Sequence, residues 1–224
     1  MKKLFRYGVD RPILTWLLLI VGIILIIFNH YYLWIPGLIL LLVGIMLVLH
    51  TYRKYQIVDN LIYNCDLKTA QKILDVGTGR GYFMTHVAKA AGYIAFVTGI
   101  EDQRHDRITK ARKNARKEKV QNRVNIIHGD VRHLPFPEAS FNLVTSLGRK
   151  RRGRKAKTNA YQAVCDDILR VLKQDGRFIM VSDQADIDRF ANYLHHQDGV
   201  KLSCTSSSKW NNFKWGTLTA IKTI

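Results

Sequence analysis

The run Asp75-Val76-Gly77-Thr78-Gly79-Arg80-Gly81 follows directly on the apolar residues Ile73-Leu74, and Glu101 stands twenty residues beyond the last of the three glycines. Glycine accepts positive φ and lets a backbone pass close beneath a ligand with no Cβ in the way. A helix starting just behind such a turn presents unpaired N–H groups. A carboxylate about twenty residues on, at the end of the next strand, is placed to accept both hydroxyls of a ribose. A dinucleotide fingerprint would need glycine where this chain has Tyr82. The acid two residues before Gly77 would repel a pyrophosphate and attract an ammonium group, so the turn suits a compact cationic ligand better.

Other reactive side chains give weaker patterns. Cys65, Cys165 and Cys204 are odd in number, far apart and without metal-ligand spacing, which excludes a disulfide scaffold and gives no metal site. They read as reduced thiols. His86, His105, His128 and His133 read as surface or strand-end residues rather than bases. Ser146 and Asp183 follow apolar runs at positions where ligands bind in such sheets, but they form no catalytic dyad. No catalytic residue is assigned.

The elements that must position the turn follow from periodicity. Lys72–Val76, Tyr93–Ile100, Arg123–Ile127, Phe141–Ser146 and Gly176–Val181 read as strands. Tyr82–Ala91, Asp106–Lys119, Tyr161–Leu172 and Ile187–His195 read as helices between them. The second of these is very basic and is expected to face solvent. Residues 56–70 look like a short lead-in helix, and 200–206 and 213–221 like two final strands. Alternating strands and helices predict an α/β fold with a Rossmann-like, doubly wound, mainly parallel seven-stranded sheet. Its ligand sites belong at the carboxyl ends of the strands.

The first fifty residues differ. Pro12–Phe28 and Leu33–Leu49 are two uncharged runs of seventeen residues, separated by Asn29-His30-Tyr31-Tyr32. Each spans roughly 25 Å as a helix, the short end of what crosses a hydrocarbon core. They predict an N-terminal transmembrane hairpin. Lys2, Lys3, Arg6 and Arg11 precede the first run, Arg53 and Lys54 follow the second, and the connection has no Lys or Arg, so both ends belong in the cytoplasm. With no charge inside either run, the hairpin reads as an anchor in a cell membrane. The expected division is an anchor over 1–56 and a catalytic domain over 57–224.

Together the strand, acid, glycines and spaced ribose acid resemble the class I S-adenosylmethionine-dependent methyltransferases, and the resemblance covers most of 73–183. Gly129-Asp130-Val131 followed by Leu134-Pro135-Phe136-Pro137 is similar to the family's adenine-contacting segment. Ser140-Phe141-Asn142-Leu143-Val144 resembles its fourth strand, with Asn142 where the family usually has Asp. Leu172-Lys173-Gln174-Asp175-Gly176-Arg177-Phe178 resembles the turn into its fifth. The broad small-molecule and quinone-type subgroup is the nearest in pattern, and Tyr7-Gly8-Val9-Asp10-Arg11-Pro12 with Glu101-Asp102-Gln103 resembles its membrane-anchored bacterial members. The resemblance implies that Asp75, Gly77, Gly79, Gly81, Glu101 and Asp130 bind S-adenosylmethionine, with Thr78 and Val131 as neighbours, and that S-adenosylhomocysteine is the product. The motif of amino-group methylation, Asn/Asp-Pro-Pro-Tyr/Phe, is replaced by Thr145-Ser146-Leu147-Gly148.

The net charge of +18 calls for an anionic neighbourhood. Residues 57–224 carry +13 of it, concentrated in 106–119 and in Arg149–Lys157, where seven of nine residues are basic. The latter run reads as a solvated loop, as adhesion to anionic lipid headgroups, or as a phosphate-backbone contact. It lacks the interleaved aromatics of a single-strand stacking platform. Since an anchor already holds the domain at the membrane, a lipid-soluble or small-molecule acceptor is the expectation. A tethered nucleic-acid methyltransferase and a cofactor-binding scaffold without turnover are the alternatives.

Overall fold

A computed structural model of the chain describes residues 2–9, 12–28, 32–65, 67, 71–101, 105–148, 158–207 and 215–223. The basic run 149–157 lies outside the described residues. The chain divides into two compact units, Met1–Ile57 and Val58–Ile224.

The first unit contains α1 (Lys2–Tyr7), α2 (Pro12–Phe28) and most of α3 (Trp34–Asn64). Leu, Ile and Val with no interior charge sustain α2 and the first part of α3. These two helices approach closely where side chains are missing. A Cβ on Gly22 would lie 2.8 Å from the Gly37 carbonyl oxygen, and one on Gly37 would lie 2.9 Å from that of Gly22. The large apolar side chains point outward instead, with Ile13 84% and Phe28 72% exposed. Small residues inside and large apolar ones outside invert the pattern of a water-soluble hairpin. Tyr55 donates its hydroxyl to the Gly8 carbonyl at 2.8 Å and packs on Tyr7, fixing the end of α1.

Among the described residues one helix, Trp34–Asn64, is long and apolar enough to cross a membrane, whereas Pro12–Phe28 is apolar but shorter. The lead-in helix expected over 56–70 is not separate. α3 runs unbroken to Asn64 because no Gly or Pro interrupts 45–64, and the change from apolar to polar residues there alters the helix's surroundings without altering its backbone.

In the second unit the strands are β1 (Lys72–Val76), β2 (Phe96–Glu101), β3 (Val124–His128), β4 (Phe141–Leu147), β5 (Leu172–Asp183), β6 (Val200–Ser207) and β7 (Trp215–Lys222). They form one seven-stranded sheet in the order β3-β2-β1-β4-β5-β7-β6. Pairing is parallel from β3 to β5, and β7 lies antiparallel between β5 and β6. Between them run α4 (Tyr82–Ala90), α5 (His105–Lys117), α6 (Thr158–Val171) and α7 (Gln184–His195). Strand order reverses at β1 and β4, so right-handed crossovers put α4 and α5 on one face and α6 and α7 on the other. Leu74, Val76, Ile100, Val144 and Phe178 from the sheet pack with Ile168 and Val171 of α6 and Ile187 and Leu194 of α7. Phe83, Met84 and Val87 of α4 are buried as well. With both faces covered, the central strands are near-continuous apolar runs. Asn142 accepts the Lys72 N–H at 3.2 Å, an edge tie between β4 and β1.

Three details depart from the periodicity reading. β2 starts at Phe96, since Gly92 at φ +75° turns the chain and leaves Tyr93 and Ile94 exposed in the connection. β5 begins at Leu172, four residues early, with a register shift opposite Phe141 and Leu143. α5, expected to be solvated, buries Ile108, Ala111, Asn114 and Ala115.

Candidate cofactor site

Val76 ends β1, and the N–H groups of Gly77 and Thr78 both donate to the Ile100 carbonyl, at 2.9 and 3.0 Å. The turn is thereby hooked onto the carboxyl end of β2. Gly77, Gly79 and Gly81 have φ of +71°, +56° and +80°. A Cβ on Gly77 would meet nothing within 4 Å, so the bare backbone there faces open space that a ligand can fill. Gly81 caps α4 with no side-chain bond of its own, and of the first-turn N–H groups that of Met84 goes to Asp75.

Asp75 sits beneath this turn, 1% exposed. Its Oδ2 accepts the Thr78 hydroxyl at 2.5 Å and its Oδ1 the Thr145 hydroxyl at 2.9 Å. Burial pushes its carboxyl up to about 6; the two threonine hydroxyls and the Met84 N–H oppose the shift, and the Glu101 charge adds to it. Asp75 therefore ties β1, the turn and β4 together. Thr78 fits only because residue 99 of β2 is glycine, whose Cβ would collide with the Thr78 hydroxyl.

Glu101 ends β2 and is 2% exposed. Its Oε2 accepts the Gly79 N–H at 2.7 Å, and its Oε1 accepts Nη1 of Arg107 at 2.7 Å. Among the described residues these are its bonds, and one acceptor position on each oxygen remains. The Glu101 carbonyl accepts the Gly129 N–H at 3.2 Å, which brings the segment after β3 alongside. There Asp130 is partly exposed and bound by Arg132 through the main-chain N–H at 2.9 Å, Nε at 3.0 Å and Nη2 at 2.6 Å. These bonds hold its carboxyl down to about 2. Val131 is half-buried against the core.

The structure thus gathers Asp75, Gly77, Thr78, Gly79, Gly81 and Glu101 into one bonded group, with Asp130 and Val131 joined through Gly129. Ser146 and Asp183 have local partners. The Ser146 hydroxyl donates to the Val76 carbonyl at 3.0 Å, and Asp183 caps α7 by accepting the Asp186 N–H at 3.1 Å. His86 stacks on Tyr82 and shares a 2.8 Å bond with its carbonyl.

Sequence reasoning missed the support from α5. Arg107 reaches Glu101, and Asn114 donates to the Arg80 carbonyl at 2.9 Å. Ala111, between them, lies where a Cβ on Gly81 would come within 3.3 Å. Positions 107, 111 and 114 share one helix face. The signal was available: Ile108, Ala111 and Ala115 at helical spacing in a helix rich in Lys and Arg mark a face that must fit closely against something.

The geometry is suited to a nucleoside with a cationic tail, namely open backbone at Gly77, spare acceptors on Glu101 and a buried acid below. Comparison with known proteins agrees. Residues 67–220 match the family model described as a methyltransferase domain. An uncharacterized methyltransferase of Bacillus subtilis, YcgJ, is 30% identical over 156 residues, covering 67% of this chain and 57% of that protein. A demethylmenaquinone methyltransferase of Staphylococcus saprophyticus is 28% identical over 129 residues, 58% of this chain and 49% of that one. The chain therefore spans about half the length of these curated relatives. The crystal structure of an S-adenosylmethionine-dependent O-methyltransferase from Thermotoga maritima shares the fold, with a TM-score of 0.57 at 18% identity over 75% of this chain and 65% of that one. With its glycine turn and strand order, the chain belongs to the methyltransferase-domain family, a class I methyltransferase fold whose cofactor is S-adenosylmethionine.

Proposed function

We propose that the protein is an S-adenosylmethionine-dependent methyltransferase held at the cytoplasmic face of a membrane by its N-terminal helices, acting on a lipid-soluble or small-molecule acceptor. The observation that carries the activity is the turn at the end of β1, whose open Gly77 backbone stands beside a buried Glu101 with one acceptor position left on each oxygen. In this reading Asp75, Gly77, Thr78, Gly79, Gly81, Glu101, Asp130 and Val131 hold the cofactor. Glu101 accepts the ribose hydroxyls. Asp130, kept ionised by Arg132 and still partly exposed, accepts from the adenine amino group. Asp75 fixes the turn from below and places negative potential under the amino-acid tail.

When bound, S-adenosylmethionine supplies a methyl group on a sulfonium; a bond from the acceptor forms as the carbon–sulfur bond breaks, and the pair of electrons leaves on a neutral thioether. The chain's own part is to hold the methyl donor in line with the acceptor, which is worth a large share of the barrier. The Ser146 hydroxyl donates to Val76 and Asp183 caps α7 through Oδ1, neither paired with a second titratable group in a dyad among the described residues, and the proposed transfer rests on positioning rather than on an assigned general base.

Three features support the tether and the acceptor. α3 is long and apolar enough to span, α2 presents its large apolar side chains outward, and Lys and Arg flank the pair on both sides. On α5, Lys110, Lys113, Arg116 and Lys117 are exposed and suit anionic headgroups. A relative named for a quinone points to a lipid-soluble acceptor.

The test is transfer of labelled methyl from S-adenosylmethionine into extracted membrane lipids by the full chain, with mass identification of the product. Label in the organic phase is expected. Label in nucleic acid would move the acceptor to the tethered nucleic-acid reading. No calorimetric affinity for S-adenosylmethionine or S-adenosylhomocysteine would sink the proposal.

A further inference from the structure

The face of α5 that carries Arg107, Ala111 and Asn114 stands against the glycine turn, and Arg107 bonds the acid that the proposed function assigns to the ribose. Glu101 is the more buried partner in its bond to Arg107, with side-chain exposures of 3% and 23%. It also shares its surroundings with a second buried carboxylate, Asp75, which is held by the Thr78 and Thr145 hydroxyls and the Met84 N–H and by no cation among the described residues. Two carboxylates on one turn repel each other, and among the described residues Arg107 is the cation bonded to either. A buried charge without a partner is far more costly than a paired one, and it rotates away or takes a proton. The guanidinium bonds Oε1 alone, while Gly79 holds Oε2, so the plane of the carboxylate is fixed from both sides.

From this we infer that Arg107 is a positioning residue for cofactor binding: it holds the Glu101 carboxylate oriented so that its remaining lone pairs meet the ribose hydroxyls. The inference rests on the proposed cofactor role of Glu101. Arg107 does not touch the cofactor in this scheme; its influence runs through Glu101.

Calorimetry on the detergent-solubilised full chain tests it, with S-adenosylhomocysteine, adenosine and 2′,3′-dideoxyadenosine as probes. The parent should prefer adenosine over the dideoxy analogue by tenfold or more. Arg107→Gln should weaken S-adenosylhomocysteine at least tenfold and reduce the adenosine preference to under threefold, and Arg107→Lys should give an intermediate preference. Lost affinity with the preference intact would assign Arg107 a merely structural role and overturn the inference, as would an unaltered Arg107→Gln.

If Arg107→Gln fails to fold, the comparison moves to Glu101→Gln with and without Arg107→Gln, where no buried charge is left unpaired. Equal probe affinities in those two proteins support action through Glu101. A further loss on adding Arg107→Gln, shared by adenosine and its dideoxy analogue, overturns it. A parent that binds none of the three probes overturns the proposed function, and this inference with it; a parent that binds them while Arg107→Gln is unaltered overturns this inference alone.

Discussion

Replacing Asp75 by Asn should stabilise the protein at neutral pH while weakening its hold on cofactor. The folded chain holds the Asp75 carboxyl at about 6 against an ordinary 3.8, chiefly because it is buried. A raised acid binds a proton in the folded state that the unfolded chain has already lost. Its contribution is therefore most favourable below about pH 4 and declines as pH rises through 6. Two pKa units correspond to about 3 kcal/mol, fully lost by pH 7.5, of which about 1 kcal/mol is already lost at pH 4.5. Asn is nearly isosteric. Its oxygen accepts the Met84 N–H and one threonine hydroxyl and its amide donates to the other, since a hydroxyl serves in both directions. The stability difference between Asp75→Asn and parent should thus shift in the variant's favour by about 2 kcal/mol between pH 4.5 and 7.5. Urea unfolding of the full chain in detergent at those two pH values, followed by circular dichroism, measures it. Calorimetry at pH 7.5 should show weaker S-adenosylhomocysteine binding. A variant equally destabilised at both pH values would refute the reasoning, because it would mean that an ionised Asp75 is a net stabiliser of the turn.

Other residues give sharper binary outcomes. Glu101→Gln keeps the size of the side chain but loses the charged acceptor, and S-adenosylhomocysteine affinity should fall by roughly 10- to 100-fold, in keeping with about 1.5–3 kcal/mol for a charged hydrogen bond; calorimetry reads it directly. Gly77→Val puts a β-branched residue at φ +71° and fills the open face, so cofactor binding should be abolished while circular dichroism keeps its parental shape. Gly22→Leu drives a side chain into the Gly37 backbone: a disulfide between Leu19→Cys and Gly44→Cys should close in the parent background and fail to close with Gly22→Leu, read by non-reducing electrophoresis.

Glycine punctuation made the turn readable. Gly77, Gly79 and Gly81 announced the turn, Glu101 followed at the ribose distance, and the structure bonds them directly. What stayed hidden was support that arises only from tertiary packing. Thr145 lies seventy residues from Asp75 and carries no local signal, yet its hydroxyl holds half of that carboxylate. Arg107 looked like one charge among many on a basic helix, until the sheet placed that face against the turn. Boundaries failed for backbone reasons: Tyr93 and Ile94 have strand-forming side chains but follow a left-handed Gly92, and α3 continues because nothing in its polar half breaks a helix. The alternation of strands and helices, by contrast, followed from patterns local enough to read, and the parallel order came with them.

The place of β1 in the sheet has a kinetic side. One of its edges pairs with β2, which starts about twenty residues later, but the other pairs with β4, with Ile73 opposite Leu143. At ribosomal rates of about 5–20 residues per second, that second edge waits roughly 4–14 s for its partner to be synthesised. During this interval the nascent chain carries an apolar strand with a row of unsatisfied N–H and C=O groups, the kind of template on which chains aggregate. Asp75 then has Thr78 close by in sequence but not yet Thr145, so it remains hydrated and charged, a gatekeeper within the open strand. The arrival of β4 covers the edge and delivers the second threonine together, so completion of the sheet and burial of its central acid are one event.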